Sequence, residues 1–328
     1  MNRAWTATAL EMAETLRVAL AGLGGVDLAR AAEADPAVRT GRLAPVLTST
    51  GVLELDAFCA DDDEAGAAVL AVRTCGAVVA PWPVTRVLTV APKARAEVDA
   101  VYVVDGIPTH LDHADLFTRA VTVSVVGERA HRVQAVGGTR RAPLDPFRVA
   151  VALESLVPPP EAGAVTSAAV LDAFWTAGAL SAVTRLAADY AVDRRQFGRA
   201  IASFGEIRWR IADMAVAADG LDELSAYTWH LVRRGRATPA DALALRVAMQ
   251  DAADVVLRNG HQVFGAIGLC EEHDLAVIDR HLTPVLLRPA GAPRTTELLL
   301  AAVNRHGFDA LFPVAPRVNI PLDQRDVG

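Results

Sequence analysis

The chain has 328 residues, 52% hydrophobic and 22% charged, with a formal net charge of −7 at pH 7 and an isoelectric point near 5.6. That is enough apolar material for two or three packed subdomains. It excludes the basic tail or stripe of a nucleic-acid binder, and charge breaks apolar runs such as 65–72 too soon for a membrane span.

The amino terminus, MNRAWTATALEMAETLR, has the period of an amphipathic helix rather than the profile of a signal peptide, which sets the expectation of a cytoplasmic protein. Helical periodicity continues through 5–20 and 56–74, so residues 1–80 read as a reduced helical domain. The GLGG run at Gly22–Gly25 lacks the preceding strand that a dinucleotide site needs and is given no cofactor role. From Val84 to Leu156 come β-branched runs, VTRVLTVA, AVYVVDG, AVTVSVVG, HRVQAV and FRVAVAL, broken by Asp105-Gly106 and Gly137-Gly138 turns. Residues 81–158 therefore read as a small antiparallel β domain. Pro158, Pro159 and Pro160 form a stiff linker.

Residues 159–328 read as a helical bundle of the four-helix type, with helices beginning near Thr166, Ser203 and Thr238. Ser203 with Glu206, and Thr238 with Pro239 and Asp241, have the spacing of helix-start caps. The fold class is thus α+β: helices, then strands, then a bundle. Cys59, Cys75 and Cys270 fall in no CxxC or Cys/His spacing, and His110 and His113 stand without further ligands, so neither a disulfide framework nor a metal site is expected.

Chemistry concentrates in 190–214, YAVDRRQFGRAIASFGEIRWRIADM. Arg194 and Arg195 offer guanidinium groups suited to an oxyanion, Phe197 a flat apolar surface, and Gly198 a tight turn. Ion pairing of these arginines with Asp189, Asp193 or Asp213 is the plainer alternative.

This corner, RRQFGRAI, resembles the R-x-Q-F-G-x-x-I corner of the acyl-CoA dehydrogenase family, and 259–281, NGHQVFGAIGLCEEHDLAVIDRH, is similar to that family's Q-x-x-G-G-x-G segment ending in an Arg-Asp pair. The resemblance covers about 166–300 and implies an acyl-CoA dehydrogenase-like fold. It implies FAD as cofactor, with Arg194, Gln196 and Phe197 at its adenosine and pyrophosphate, and with Gln262, Phe264, Gly265 and Ala266 as the second contact segment. Ala266 replaces the second glycine of the family's pair, and Gly205 stands where a glutamine is usual. The implied reaction is α,β-dehydrogenation of an acyl-CoA thioester, with an electron-transferring flavoprotein as a possible acceptor. The family's catalytic glutamate would fall at Ala168 or at Pro289, and neither is acidic; Asp172 and Glu297 are the candidates for a relocated base. The family's T-E-P-x-x-G-S-D and Gly-Thr-Ser-Gln segments have no counterpart. With those parts missing, the chain resembles the short subunits of actinobacterial α2β2 acyl-CoA dehydrogenases that act on steroid-derived thioesters, which implies a partner subunit. A self-sufficient enzyme with a relocated base and a flavin-free structural subunit stay open beside it.

Overall fold

In a computed structural model, residues 5–126, 129–159 and 163–306 are described. Pro160, the last residue of the expected linker, lies outside them. Helix α1 (Ala7–Gly22) starts at Thr6, whose side chain accepts from the Ala9 N–H. It ends on the glycine run: the Gly25 N–H reaches Leu20 O at 3.0 Å and the Gly24 N–H reaches Ala21 O at 2.9 Å. That is a Schellman cap, and Gly24 at its C′ position has the positive φ it demands (106°). Then follow α2 (Val26–Ala34), α3 (Ala44–Ser49), α4 (Asp62–Ala77) and α5 (Val84–Leu88). The first β-branched run, VTRVL, is thus a short helix and not a strand. Pro83 precedes it, and four of its side chains, Val84, Thr85, Arg86 and Leu88, are buried against other helices and the sheet, so tertiary burial overrides strand propensity.

The strands are β1 (Ala100–Val104), β2 (His110–Asp112), β3 (Ala120–Ser124), β4 (Ala130–Ala135), β5 (Arg140–Ala142) and β6 (Asp145–Val157). They pair in the order β1-β3-β4-β6-β2, with β5 on β6. All pairs are antiparallel except β1 with β3. Helix α6 (Ala164–Asp193), a small hairpin of β7 (Arg195–Gln196) and β8 (Arg199–Ala200), α7 (Gly205–Arg233), α8 (Pro239–Phe264), α9 (Asp274–Leu287) and α10 (Ala292–His306) complete the described chain. The Thr238 cap forms as a full capping box with Asp241. The Ser203 cap does not. Phe204 is the N-cap of α7, the Ser203 hydroxyl donates to Ala200 O, and Glu206 pairs with Arg210 one turn on. The preceding hairpin ends in a short turn at 201–203, which shifts the helix start past serine.

Helix α6 is long and apolar enough to cross a membrane by length and composition, but 78% of its most apolar window is buried within the fold. One continuous core joins α1, α2 and α4 to α6, α7, α8 and α9. At its centre α4 and α6 touch backbone to backbone. A Cβ on Gly76 would lie 1.9 Å from Trp175 O, and one on Gly178 2.0 Å from Arg73 O.

Candidate functional site

The corner at the end of α6 is a two-residue hairpin. Arg195 pairs with Ala200 and Gln196 with Arg199, and both turn residues have positive φ, 52° at Phe197 and 79° at Gly198, the geometry of a type I′ turn. Phenylalanine rarely adopts it; the strain holds an apolar ring in water, since Phe197 is 91% exposed. Its only ring neighbour among the described residues is Phe204, at 6.1 Å, under the Arg199 guanidinium (4.1 Å). Arg194 and Arg195 make no ion pair with Asp189, Asp193, Asp213 or any other described acid. An exposed, unpaired cationic edge is what remains.

Two contacts bring the second segment to the same end of the bundle: the Tyr190 and Phe264 rings lie 4.8 Å apart, and Arg210 donates to Asn259 Oδ1 at 2.9 Å. Gln262, Gly265 and Ala266 are exposed there. Gly265 caps α8 at φ 63°, ψ −141°, a conformation that only glycine adopts without strain. Phe264 faces the other way. It is 5% exposed and its ring is packed on Tyr190 and on His273 at 4.4 Å, so it supports the segment from inside.

The two positions matching the family's base lie elsewhere. Ala168 is buried in α6. Pro289 lies in the α9–α10 connection, which is held by three donors: Arg246 Nη2 to Leu286 O and Ala290 O, Gln250 Nε2 to the same two carbonyls, and Thr295 Oγ1 to Ala290 O. Asp172, one turn beyond Ala168, places both carboxylate oxygens 2.9 Å from Arg86 Nη1 in a buried pair. It is positioned as a counter-ion. Glu297 is on the outer side of α10, two-thirds exposed and paired with Arg294.

Around the Arg86–Asp172 pair, the helices and the sheet meet in a charged junction that sequence reading did not find. Burial raises the Asp112 carboxyl, but Arg86 and Arg288 overcome it and hold the pKa near 2. Burial pushes His113 down to about 3. Its neutral ring stacks on Phe147 at 4.4 Å, with Nδ1 3.1 Å from Arg39 Nη1. Arg39 also grips Asp115. Arg288 joins Asp112 to Asp145, and burial raises the Asp145 pKa despite that partner. Glu33 accepts from Arg280 Nε and His281 Nε2, each at 2.8 Å; burial alone would raise its carboxyl, yet these two donors keep it near 2. The space inside the junction, bordered by Trp82, Arg86, Asp145 and Asp172, is only about 50 Å³. That holds water, not an acyl chain. Among the described residues no group of three or more His, Cys, Asp or Glu side chains is arranged to hold a metal.

Residues 166–289 match the family described as acyl-CoA dehydrogenase, C-terminal domain. Acyl-CoA dehydrogenase IpdE2 of Mycobacterium tuberculosis is 31% identical over 182 residues, 54% of this chain and 52% of that one, so the match spans about half the length of that curated relative. The chain superposes on the Tcur3481-Tcur3483 steroid ACAD with a TM-score of 0.73 at 16% identity, over 90% of this chain and 98% of that one. The ChsE4-ChsE5 complex from Mycobacterium tuberculosis gives 0.73 at 14% identity, over 93% and 99%. At such identities the shared property is the fold: helical domains around a small sheet.

Proposed function

We infer that this chain, an acyl-CoA dehydrogenase C-terminal domain over residues 166–289 within that family's fold, is one subunit of a heteromeric, FAD-dependent acyl-CoA dehydrogenase, an oxidoreductase acting on CH–CH bonds. The observation that carries the reading is the contrast between its two sites. The bundle end is equipped for a phosphate-bearing cofactor, while neither position matching the family's base carries an acid. Arg194 and Arg195, without ion pairs among the described residues, would neutralise the pyrophosphate; Phe197 would cover an apolar face; and the exposed backbone at Gly265 and Ala266 would approach phosphate oxygens. These residues fit the adenosine–pyrophosphate end of FAD. No such fit exists at the junction, where charged side chains leave room only for water.

A bound flavin would supply the acceptor for the β hydrogen, taken as hydride. The α proton then needs a carboxylate, and a partner subunit is the source that this reading assigns. Against Asp172 as a relocated base stands its buried pairing, through both carboxylate oxygens, with Arg86 Nη1; against Glu297, its exposed place on α10. The acyl-CoA substrate follows from the family, and the names of the solved relatives favour a steroid-derived thioester. An electron-transferring flavoprotein is the acceptor by the same analogy.

The test is a count of FAD released on denaturation, from the chain alone and co-expressed with a candidate partner. About one FAD per pair of unlike chains, falling severalfold with Arg194→Ala, is the expected result. Full flavin in the lone chain would return the search to Asp172 and Glu297. Flavin in neither, or content indifferent to Arg194→Ala, would leave a flavin-free structural subunit.

A further inference from the structure

A second open space lies on the sheet side of the α9–α10 connection. This cleft of about 450 Å³ runs between the β1–β2 loop and Pro289, and Val104, Ile107, Pro108 and Leu111 are among its walls. Its charged groups are unequal. Asp105 is matched by Arg294 (2.8 Å) and Asp145 by Arg288. Arg148 lines the cleft too, on β6, and makes no ion pair within 4 Å among the described residues.

Its surroundings sharpen the point. Arg148 stands directly across from Arg140 on β5, a like charge, and on its other side from Asp112 on β2, whose carboxylate is already held by Arg288. Arg140 also lacks an acidic partner among the described residues. Arg148 Nη2 lies 3.0 Å from His110 Nδ1. A guanidinium can only donate, so Nδ1 is the acceptor and the neutral ring carries its hydrogen on Nε2. His110 lines the cleft as well. The cleft therefore offers a forked cation and an imidazole N–H beside valine, isoleucine and proline walls, in a chain whose overall charge is negative.

We propose that this cleft binds the carboxylate of an organic acid with a compact aliphatic or aromatic ring, the carboxylate on Arg148 and His110 and the ring against Ile107, Pro108 and Pro289. Its size lies within the range of small-molecule sites, and a planar guanidinium matches a carboxylate bidentately. Binding itself does not depend on flavin. One extension does rest on the dehydrogenase reading: there the acid is a second, free carboxylate on the acyl group of the thioester.

The probes are cyclohexanecarboxylate and its neutral isostere cyclohexanecarboxamide, titrated calorimetrically into the full chain at matched ionic strength. The carboxylate is expected to bind about tenfold more tightly, the worth of one charge-assisted hydrogen bond. Arg148→Gln, at an exposed position, erases the difference, and Arg148→Lys keeps part of it. Arg141→Gln leaves it intact, because Arg141 already faces Glu33 and Glu271. Equal binding of the two probes, no binding of either, or a preference that survives Arg148→Gln overturns the proposal. Flavin content reports separately on the bundle end, so failure of one reading does not masquerade as failure of the other.

Discussion

Asp172 shows how much a side chain's meaning depends on its neighbour. In sequence it is an acid one turn from a position where a base belongs; in the structure it neutralises Arg86. Removing one member of a buried pair leaves the other charge uncompensated, so Asp172→Asn should cost about 3–5 kcal/mol, whereas Arg86→Met with Asp172→Leu should recover most of that. Urea unfolding of the three proteins checks this. A single variant as stable as the parent would show that the carboxylate is not a counter-ion. The Arg-Gln-Phe-Gly corner was legible because all its information is local: a cation pair, a ring and a turn glycine in five residues. The junction was not, because Arg86 with Asp172, Arg39 with Asp115 and Glu33 with Arg280 are partners that only folding brings together. His113, which in sequence stands only as a histidine without further ligands, is a buried neutral ring for the same reason.

Among the elements, the long amphipathic helices of the carboxy-terminal half announced themselves, as did the Thr238 capping box. The Ser203 box has the same spacing of hydroxyl and acid and fails, since the hairpin before it places Phe204 at the cap. A capping pattern says where a helix is able to start, and the chain upstream decides. No periodicity marks the α4–α6 crossing, which depends on two glycines far apart in sequence. Each admits the other helix's backbone, and a carbonyl cannot swing aside as a flexible side chain does. Gly178→Ala is expected to lower stability by about 1–3 kcal/mol or more through overpacking. The exposed Gly220 in α7, with open space at its Cβ position, should gain stability from the same change. Thermal unfolding of both variants tests the contrast; similar shifts in the same direction would refute the close crossing.

For the whole molecule, the charged junction predicts how stability depends on acidity. His113 has a folded pKa near 3 against about 6.5 in an unfolded chain. Below about 6.5 the unfolded state takes up a proton that the folded state refuses, so stability falls with pH across that interval, by up to about 1.4 kcal/mol per unit. Burial lowers His281 in the same direction. Glu33 and Asp112 work from the other side. Their depressed pKa values stabilise the fold above about 4, and that contribution is lost as pH falls toward 2. Denaturant unfolding should therefore show a decline already between pH 6.5 and 5, and His113→Gln should flatten it. A curve level down to pH 5 would contradict the buried neutral ring.

The single core also bears on how the chain comes to be folded. Helix α1 packs mainly on α4, and α4 in turn has its main partner in α6, on the far side of the whole sheet in sequence. As the polypeptide emerges from the ribosome, α1 and α4 can close on each other, but the face of α4 that meets α6 stays uncovered until the carboxy-terminal half has been made. Early collapse onto local contacts cannot finish the job, and the wait leaves sticky surface exposed during synthesis. For this architecture, the core is completed only by the part of the chain that is translated last.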